Sequence, residues 1–289
     1  TSAPEVTLTL EVMDTLSSQA NIQIAVSLDQ GQSFSPFEPF TQAKQLTLQG
    51  SDGSKVVIVR FKDEAGNISQ AEDDILLSTV PPYNVFGDAH IDHIQFKFGG
   101  GSLALDGLGD YISLPDSPDW DFGTGDFTIE AWVNFNAVDY RHTIAANYNQ
   151  QFKDQSGWIF AIAPFANPSD SYIHIYDTTG RETVSVQGGL SFQANRWYHV
   201  AVVRSGTTVR FFIGGRQWGP DHTIDASRTF NSAPVPLEVG IYEGTAPLKG
   251  WMDELRISKG VARWIENFTP SQEEYTADPY TTLLLHFDS

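Results

Sequence analysis

Apolar and polar residues alternate along most of this chain in short runs of period two, and the 3.6-residue spacing of an amphipathic helix is almost absent. Val6-Thr7-Leu8-Thr9-Leu10, Ile22-Gln23-Ile24-Ala25-Val26, Val56-Val57-Ile58-Val59-Arg60-Phe61 and Phe127-Thr128-Ile129-Glu130-Ala131-Trp132-Val133 show the pattern. Gly, Asn and Asp clusters separate the runs. Such alternation predicts half-buried antiparallel strands, and strands roughly 8–12 residues apart indicate a sandwich. The expected fold class is therefore all-β.

Pro81-Pro82 marks the expected boundary, because two prolines cannot continue a ladder and make a stiff connector. Residues 1–82 hold enough candidate strands for a sandwich of immunoglobulin size. The stretch Val57 to Ser69 reads as a strand running into a turn, with Asp74-Ile75-Leu76-Leu77 as the last strand. It resembles the final hairpin of the Ig-like or fibronectin type III-like repeats of bacterial surface proteins, which implies a spacer domain. Asp63 and Glu64 are candidate metal ligands, but a solvated turn closed by Gly66 accounts for them better.

Composition narrows the partners. The 289 residues carry 17 Lys and Arg against 36 Asp and Glu, a formal net charge of −19. That surface repels phosphate backbones and anionic lipid, so no nucleic-acid partner is expected, and it attracts hard cations such as calcium. Cysteine is absent, which excludes thiol catalysis and thiolate metal sites. No apolar run is long enough to span a bilayer, so no membrane insertion is expected. The chain opens Thr1-Ser2-Ala3-Pro4, as a piece of a larger multidomain chain would.

Residues 83–289 carry five blocks in a fixed order. Lys97-Phe98-Gly99-Gly100-Gly101-Ser102-Leu103-Ala104-Leu105-Asp106-Gly107 leads to Gly109-Asp110-Tyr111-Ile112, and Asp121-Phe122-Gly123-Thr124-Gly125-Asp126 runs into the strand from Phe127. Trp197-Tyr198-His199-Val200-Ala201-Val202-Val203-Arg204 and Gly250-Trp251-Met252-Asp253-Glu254-Leu255-Arg256-Ile257-Ser258 follow, then Gly260-Val261-Ala262-Arg263-Trp264 with Phe268-Thr269-Pro270. This resembles a laminin G-like domain, a concanavalin A-like jelly roll. The family's usual opening strand is missing from its place. A matching strand, Thr282-Leu283-Leu284-Leu285-His286-Phe287-Asp288, stands at the C-terminus instead. It either opens a further repeat or fills the vacant slot of a circularly permuted domain. Permutation is favoured, because an empty slot leaves backbone groups of buried strands unpaired. It requires Leu283 and Leu285 to be buried.

The resemblance implies a structural calcium held by Asp253, by Asp288 if its strand docks, and by carbonyls around Gly100 and Gly101. The mixed oxygen shell suits the ion; the competing account is that Asp253 pairs with Arg256 or caps a turn. Trp132, Trp158, Trp197, Trp251 and Trp264 are expected to pack. Trp218, in a glycine-rich turn, is a candidate ligand contact or a loop-packing residue. By position, Asn147, Tyr148 and Asn149 in one loop and Tyr242 and Glu243 in another resemble the loops that bind ligand in related pentraxins. No Glu-x-Asp-x-Glu strand, His-Glu-x-x-His or Gly-x-Ser-x-Gly occurs, so no catalysis is expected. The resemblance implies a secreted or cell-surface carbohydrate-binding or adhesion module whose partner is a polysaccharide or cell-surface glycan. The alternatives are a structural or protein-binding segment of a surface or tail-fibre protein, or a divergent glycosidase.

Overall fold

The structure, a computed structural model, describes residues 5–12, 21–48, 53–77, 83–152, 157–165, 167, 172–177, 182–189 and 192–288. Pro81 and Pro82 lie outside them. The chain divides into two compact units, Ser2–Thr79 and Val80–Ser289 with Thr1. No helix among the described residues is long and apolar enough to cross a membrane.

The first unit contains β1 (Glu5–Thr9), β2 (Gln23–Ser27), β3 (Glu38–Pro39), β4 (Ala43–Thr47), β5 (Gly53–Lys62) and β6 (Ile68–Leu77). They form a two-stranded sheet, β1-β4, and a four-stranded sheet, β3-β2-β5-β6. Leu46 of the small sheet and Leu10, just after β1, share one core with Ile24, Val26, Val57 and Val59 of the large one. The turn between β5 and β6 is closed by Asp63, whose Oδ1 and Oδ2 accept from Asn67 N and Asn67 Nδ2, each at 2.7 Å. Gly66 supplies the left-handed φ of 89°. The carboxylate of Asp63 thus serves the turn.

The second unit begins with β7 (Asn84–Phe86), β8 (His90–Asp92), β9 (Ser102–Asp106), β10 (Tyr111–Leu114), β11 (Phe127–Phe135), β12 (His142–Asn147), β13 (Trp158–Ala163) and β14 (Tyr172–Asp177). It continues with β15 (Glu182–Gln187), β16 (Trp197–Ser205), β17 (Thr208–Ile213), β18 (Arg216–Gln217), β19 (His222–Thr223), β20 (Leu237–Val239), β21 (Lys249–Lys259) and β22 (Thr281–Leu285). Two antiparallel sheets result: seven strands in the order β15-β14-β13-β12-β20-β10-β7, and nine containing β18-β17-β16-β11-β21-β9-β8 with β19 on β17 and β22 on β21. This is a jelly-roll sandwich.

Strand β11 shows how the layers are built. Phe127, Ile129, Ala131, Val133 and Phe135 point into the main core between the sheets. Thr128, Glu130, Trp132 and Asn134 face the other way and are buried too. Other segments cover that outer face: Ala262, Trp264 and Phe268 pack on Ala201, Val203 and Phe212. Charge is buried there as well. Glu130 receives Arg256 Nε at 2.8 Å and faces His199 Nε2 at 3.0 Å. Burial opposes its ionisation, but His199 and Arg256 hold its carboxyl below the usual range.

The C-terminal strand completes the nine-stranded sheet. One edge of β21 pairs with β9 over Lys249–Met252 and with β22 over Leu255–Ser258. The change of partner falls at a bulge in the β11–β21 ladder, where Glu254 takes a φ of 51°. Leu283 and Leu285 are 2% exposed and belong to the main core with Phe287. They therefore lie inside, as the permuted arrangement requires.

Candidate functional site

Three tyrosines meet on the outer face of the seven-stranded sheet. Tyr148 follows β12, Tyr176 belongs to β14, and Tyr242 lies in the loop after β20. Small outward residues, Ala146 and Ala161 with Ile159, form an apolar patch against which all three pack. Tyr148 meets Tyr242 edge to face at 5.7 Å and Tyr176 at 6.4 Å. Arg141 donates to the Tyr242 hydroxyl and stands 5.2 Å from the ring centre. Further along β14, Tyr172 stacks on His174 at 5.5 Å. Burial, with the charge of Arg141, pushes the His174 imidazole down to about 4, so it is neutral near pH 7.

The aromatic face continues across the sheet. On the edge pair β10–β7, Phe86 lies flat on Tyr111 with centroids 4.3 Å apart. Glu238 of β20 sits between the two groups. Its carboxyl is pushed up by burial and by the charge of Glu243. Glu243 N donates to Glu238 Oε2 at 2.8 Å, and Glu243 Oε2 accepts from Gln150 N at 3.0 Å, which ties the two loops together.

Tyr148, Tyr242 and Glu243 are thus brought to one place, with Asn149 in the same loop. Asn149 Oδ1 accepts from Gln151 N at 2.8 Å, so its side chain shapes the turn. Asn147 is not available to a ligand: it is fully buried, its Nδ2 donates to Val235 O at 2.7 Å, and its Oδ1 accepts from Ala233 N. Trp218 packs instead against Phe192 at 6.0 Å and donates Nε1 to Gly188 O at 2.6 Å. Of the tryptophans expected to pack, Trp158 is enclosed and Trp264 stacks on Phe268 at 3.8 Å. Trp197 and Trp251 depart: both are half-buried residues of the nine-stranded sheet, and Trp251 lies on its outer face.

Asp253 and Asp288 converge on one backbone segment. Asp253 Oδ2 accepts from Lys97 N at 2.7 Å and Phe98 N at 3.0 Å. Asp288 Oδ1 accepts from Gly100 N at 2.7 Å and Gly101 N at 3.2 Å. The two glycines therefore present N–H groups to Asp288, and Gly100 O faces His93 Nδ1 at 2.6 Å. Asp253 Oδ1 is buried with no hydrogen-bond partner, and burial pushes this carboxyl up to about 7. At Gly99 a Cβ would collide with carboxylate oxygens of both Asp288 and Glu274.

The model of the concanavalin A-like lectin/glucanases superfamily, in its laminin G form, matches residues 106–264. The chain belongs to this superfamily. In the lectin/glucanase fold the tyrosine face is one sheet surface and the Asp253–Asp288 segment belongs to the other sheet. Among solved structures, the enzymatically active domain of tailspike protein 2 from bacteriophage CBA120 superposes with a TM-score of 0.52 at 12% identity, covering 73% of this chain and 34% of that one. Domain 4 of AbnA, a GH43 extracellular arabinanase of Geobacillus stearothermophilus solved with arabinotriose, gives 0.47 at 18% identity, covering 63% and 84%. Mouse laminin α1 domains LG4-5 give 0.39 at 10%, covering 95% and 92%. At 12% identity the likeness to the tailspike domain bears on the fold alone. No curated protein matches the chain.

Several residues of the face were not singled out from sequence: Tyr176, Tyr111, Phe86, Arg141 and Glu238. One signal was present. Tyr172-Ile173-His174-Ile175-Tyr176 alternates strictly, which puts three rings on one strand face. Which face stays open depends on the sheet order.

Proposed function

We propose that this lectin/glucanase-fold chain is a non-catalytic carbohydrate-binding or adhesion module of a larger secreted or cell-surface bacterial protein, with an Ig-like spacer before it. The observation that carries this reading is the meeting of Tyr148, Tyr176 and Tyr242 beside Arg141, Glu238 and Glu243 on one sheet face. Aromatic faces stack on sugar C–H surfaces, while carboxylates and a guanidinium hydrogen-bond hydroxyls. A glycan array that includes algal polysaccharides tests it, run with the wild type and with Tyr176→Ala/Tyr242→Ala. The expected result is a glycan signal that the double variant loses. A signal that survives the variant places the site elsewhere. Silence across the array favours a structural or protein-binding segment of a surface or tail-fibre protein.

Calcium belongs to the same proposal as a structural ion. The unpartnered Asp253 Oδ1 and the Gly99 cradle between Asp288 and Glu274 support it. Asp253 and Asp288 would hold the ion, which supplies positive charge bound only in the folded state. Chelation is expected to lower the thermal midpoint of the wild type and not that of Asp253→Asn. An unchanged wild-type midpoint rejects the ion.

One observation favours a second reading, a glycoside hydrolase. Glu238, its carboxyl raised by burial, shares the tyrosine face with the exposed Glu243, and glycosidases work with a paired acid and base. Release of reducing ends from a bound polysaccharide, abolished by Glu238→Gln, would establish it; binding without release leaves the module.

A further inference from the structure

Three guanidinium groups of the second unit face carboxylates: Arg210 pairs with Asp221, Arg256 with Glu130 and Arg263 with Asp278. Arg196 and Arg216 are exposed to solvent and need no partner. Arg141, immediately before β12, fits neither case. It is half-buried, yet it forms no ion pair with a carboxylate among the described residues. Its partner is the neutral Tyr242 hydroxyl, to which one terminal nitrogen donates, with the Tyr242 ring centre 5.2 Å away. A guanidinium carries five N–H donors in a planar fork, so most of them remain for another acceptor.

The neighbours of Arg141 leave its charge unanswered. Glu238 and Glu243 are engaged elsewhere: Glu238 Oε2 accepts from Glu243 N, and Glu243 Oε2 accepts from Gln150 N. His174 lies near enough for the guanidinium charge to help push its imidazole down, so it is neutral near pH 7 and adds no second positive charge. Tyr242 itself packs over Ala146, Ile159 and Ala161, which takes water from one side of the group. A charge that has lost part of its water without gaining a counter-charge is costly, and an arriving anion recovers that cost.

We propose that the tyrosine face selects a glycan carrying an isolated acidic substituent, a carboxylate or a sulfate, which the Arg141 guanidinium receives beside the Tyr242 ring. This rests on the glycan reading of that face and adds the charge of the sugar it takes. The planar fork matches the paired oxygens of such a group, and charge-assisted hydrogen bonds are roughly twice as strong as neutral ones. The sugar rings then lie on the tyrosines, with the hydroxyls turned to Glu238 and Glu243. The net charge of −19 sets the limit. A polymer charged at every residue is repelled over a Debye length of about 8–10 Å, whereas one acid group in contact with Arg141 is not. Uronates and sulfated sugars carry the same kind of oxyanion, and the experiment separates them.

Isothermal titration of the full chain compares two matched pairs, cellobiouronic acid with cellobiose and galactose 6-sulfate with galactose. At least one acidic sugar should bind about tenfold more tightly than its neutral counterpart. Preference in the first pair identifies a carboxylate, in the second a sulfate. Arg141→Gln should erase the preference and leave the affinity for the neutral sugar unchanged. Arg141→Lys should keep part of it, because it retains the charge and loses the fork; unchanged thermal midpoints are the control for folding. Neutral sugars that bind as tightly as their acidic counterparts overturn the proposal and leave the glycan reading intact. An Arg141→Gln protein weakened equally toward both members of a pair also overturns it, since Arg141 then only supports the face. So does a heparin tetrasaccharide that binds more tightly than either acidic sugar. Silence toward all four sugars overturns it as well, and the glycan array decides the broader reading separately.

Discussion

Replacing Leu283 and Leu285 by alanine asks whether β22 belongs to the cooperative core of the jelly roll. Each side chain is 2% exposed and sits in the main hydrophobic cluster. A buried Leu→Ala change typically costs about 2–5 kcal/mol, the spread reflecting how far the surroundings collapse into the cavity. β22 pairs along one edge of β21 only, so its surroundings can relax and the lower part of the range applies. The double variant should then lose about 4–6 kcal/mol, a large fraction of the ~5–15 kcal/mol that holds a domain together. Urea unfolding followed by tryptophan fluorescence reads this directly, since Trp120 and Trp158 lie in the same cluster. The midpoint should fall with the slope unchanged, because the same surface is exposed on unfolding. Removing residues 281–289 should abolish the cooperative transition. A double variant within about 1 kcal/mol of wild type would refute the reasoning and assign the segment to a following repeat.

Three further outcomes follow from buried groups. Burial pushes His142 and His174 down to about 4 from 6.5, so both are neutral in the fold. Their depressed values mean the unfolded chain binds more protons, and stability is lost as pH falls from 6.5 towards 4. Each should cost about 1.3 kcal/mol between pH 7.5 and 5.5, and His174→Phe should remove its share of that slope in a pH series of urea midpoints. Glu130→Gln leaves Arg256 without its buried counter-charge and should cost about 3–5 kcal/mol in the same assay. A Cβ at Gly101 would lie 2.4 Å from Phe287 O, so Gly101→Ala should lower the urea midpoint by about 1–3 kcal/mol of overpacking; no change would mean the C-terminal tail is not seated there.

The alternation of Phe127, Ile129, Ala131, Val133 and Phe135 determined a strand with a core-facing side, because strand side chains alternate whatever surrounds them. The spacing of the five blocks was enough to place the second unit in its superfamily. Asp63 was legible as a turn residue, since the bonds that close the turn are local; the Glu64 carboxylate instead accepts from Asn21 Nδ2, 43 residues away in the chain. The tyrosine face was not legible as a whole. Tyr148, Tyr176 and Tyr242 come from segments far apart in the chain, and only the order of β14, β13, β12 and β20 in one sheet brings them together. Asn147 and Trp218 looked like ligand residues because polar and aromatic loop positions are often exposed; the backbone carbonyls that absorb their donors come from distant residues, Val235 and Gly188. Its position in the block suggested that Trp251 fills the core, but its place on β21 set it on the outer face. The C-terminal strand stood between the two cases. Its own residues determined that it is a strand with a buried side. That its place is beside β21, with Asp288 accepting from the Gly100 and Gly101 amides, was decided by tertiary structure, because an empty edge can be filled from anywhere in the chain and only the assembled sheet shows where the filler comes from.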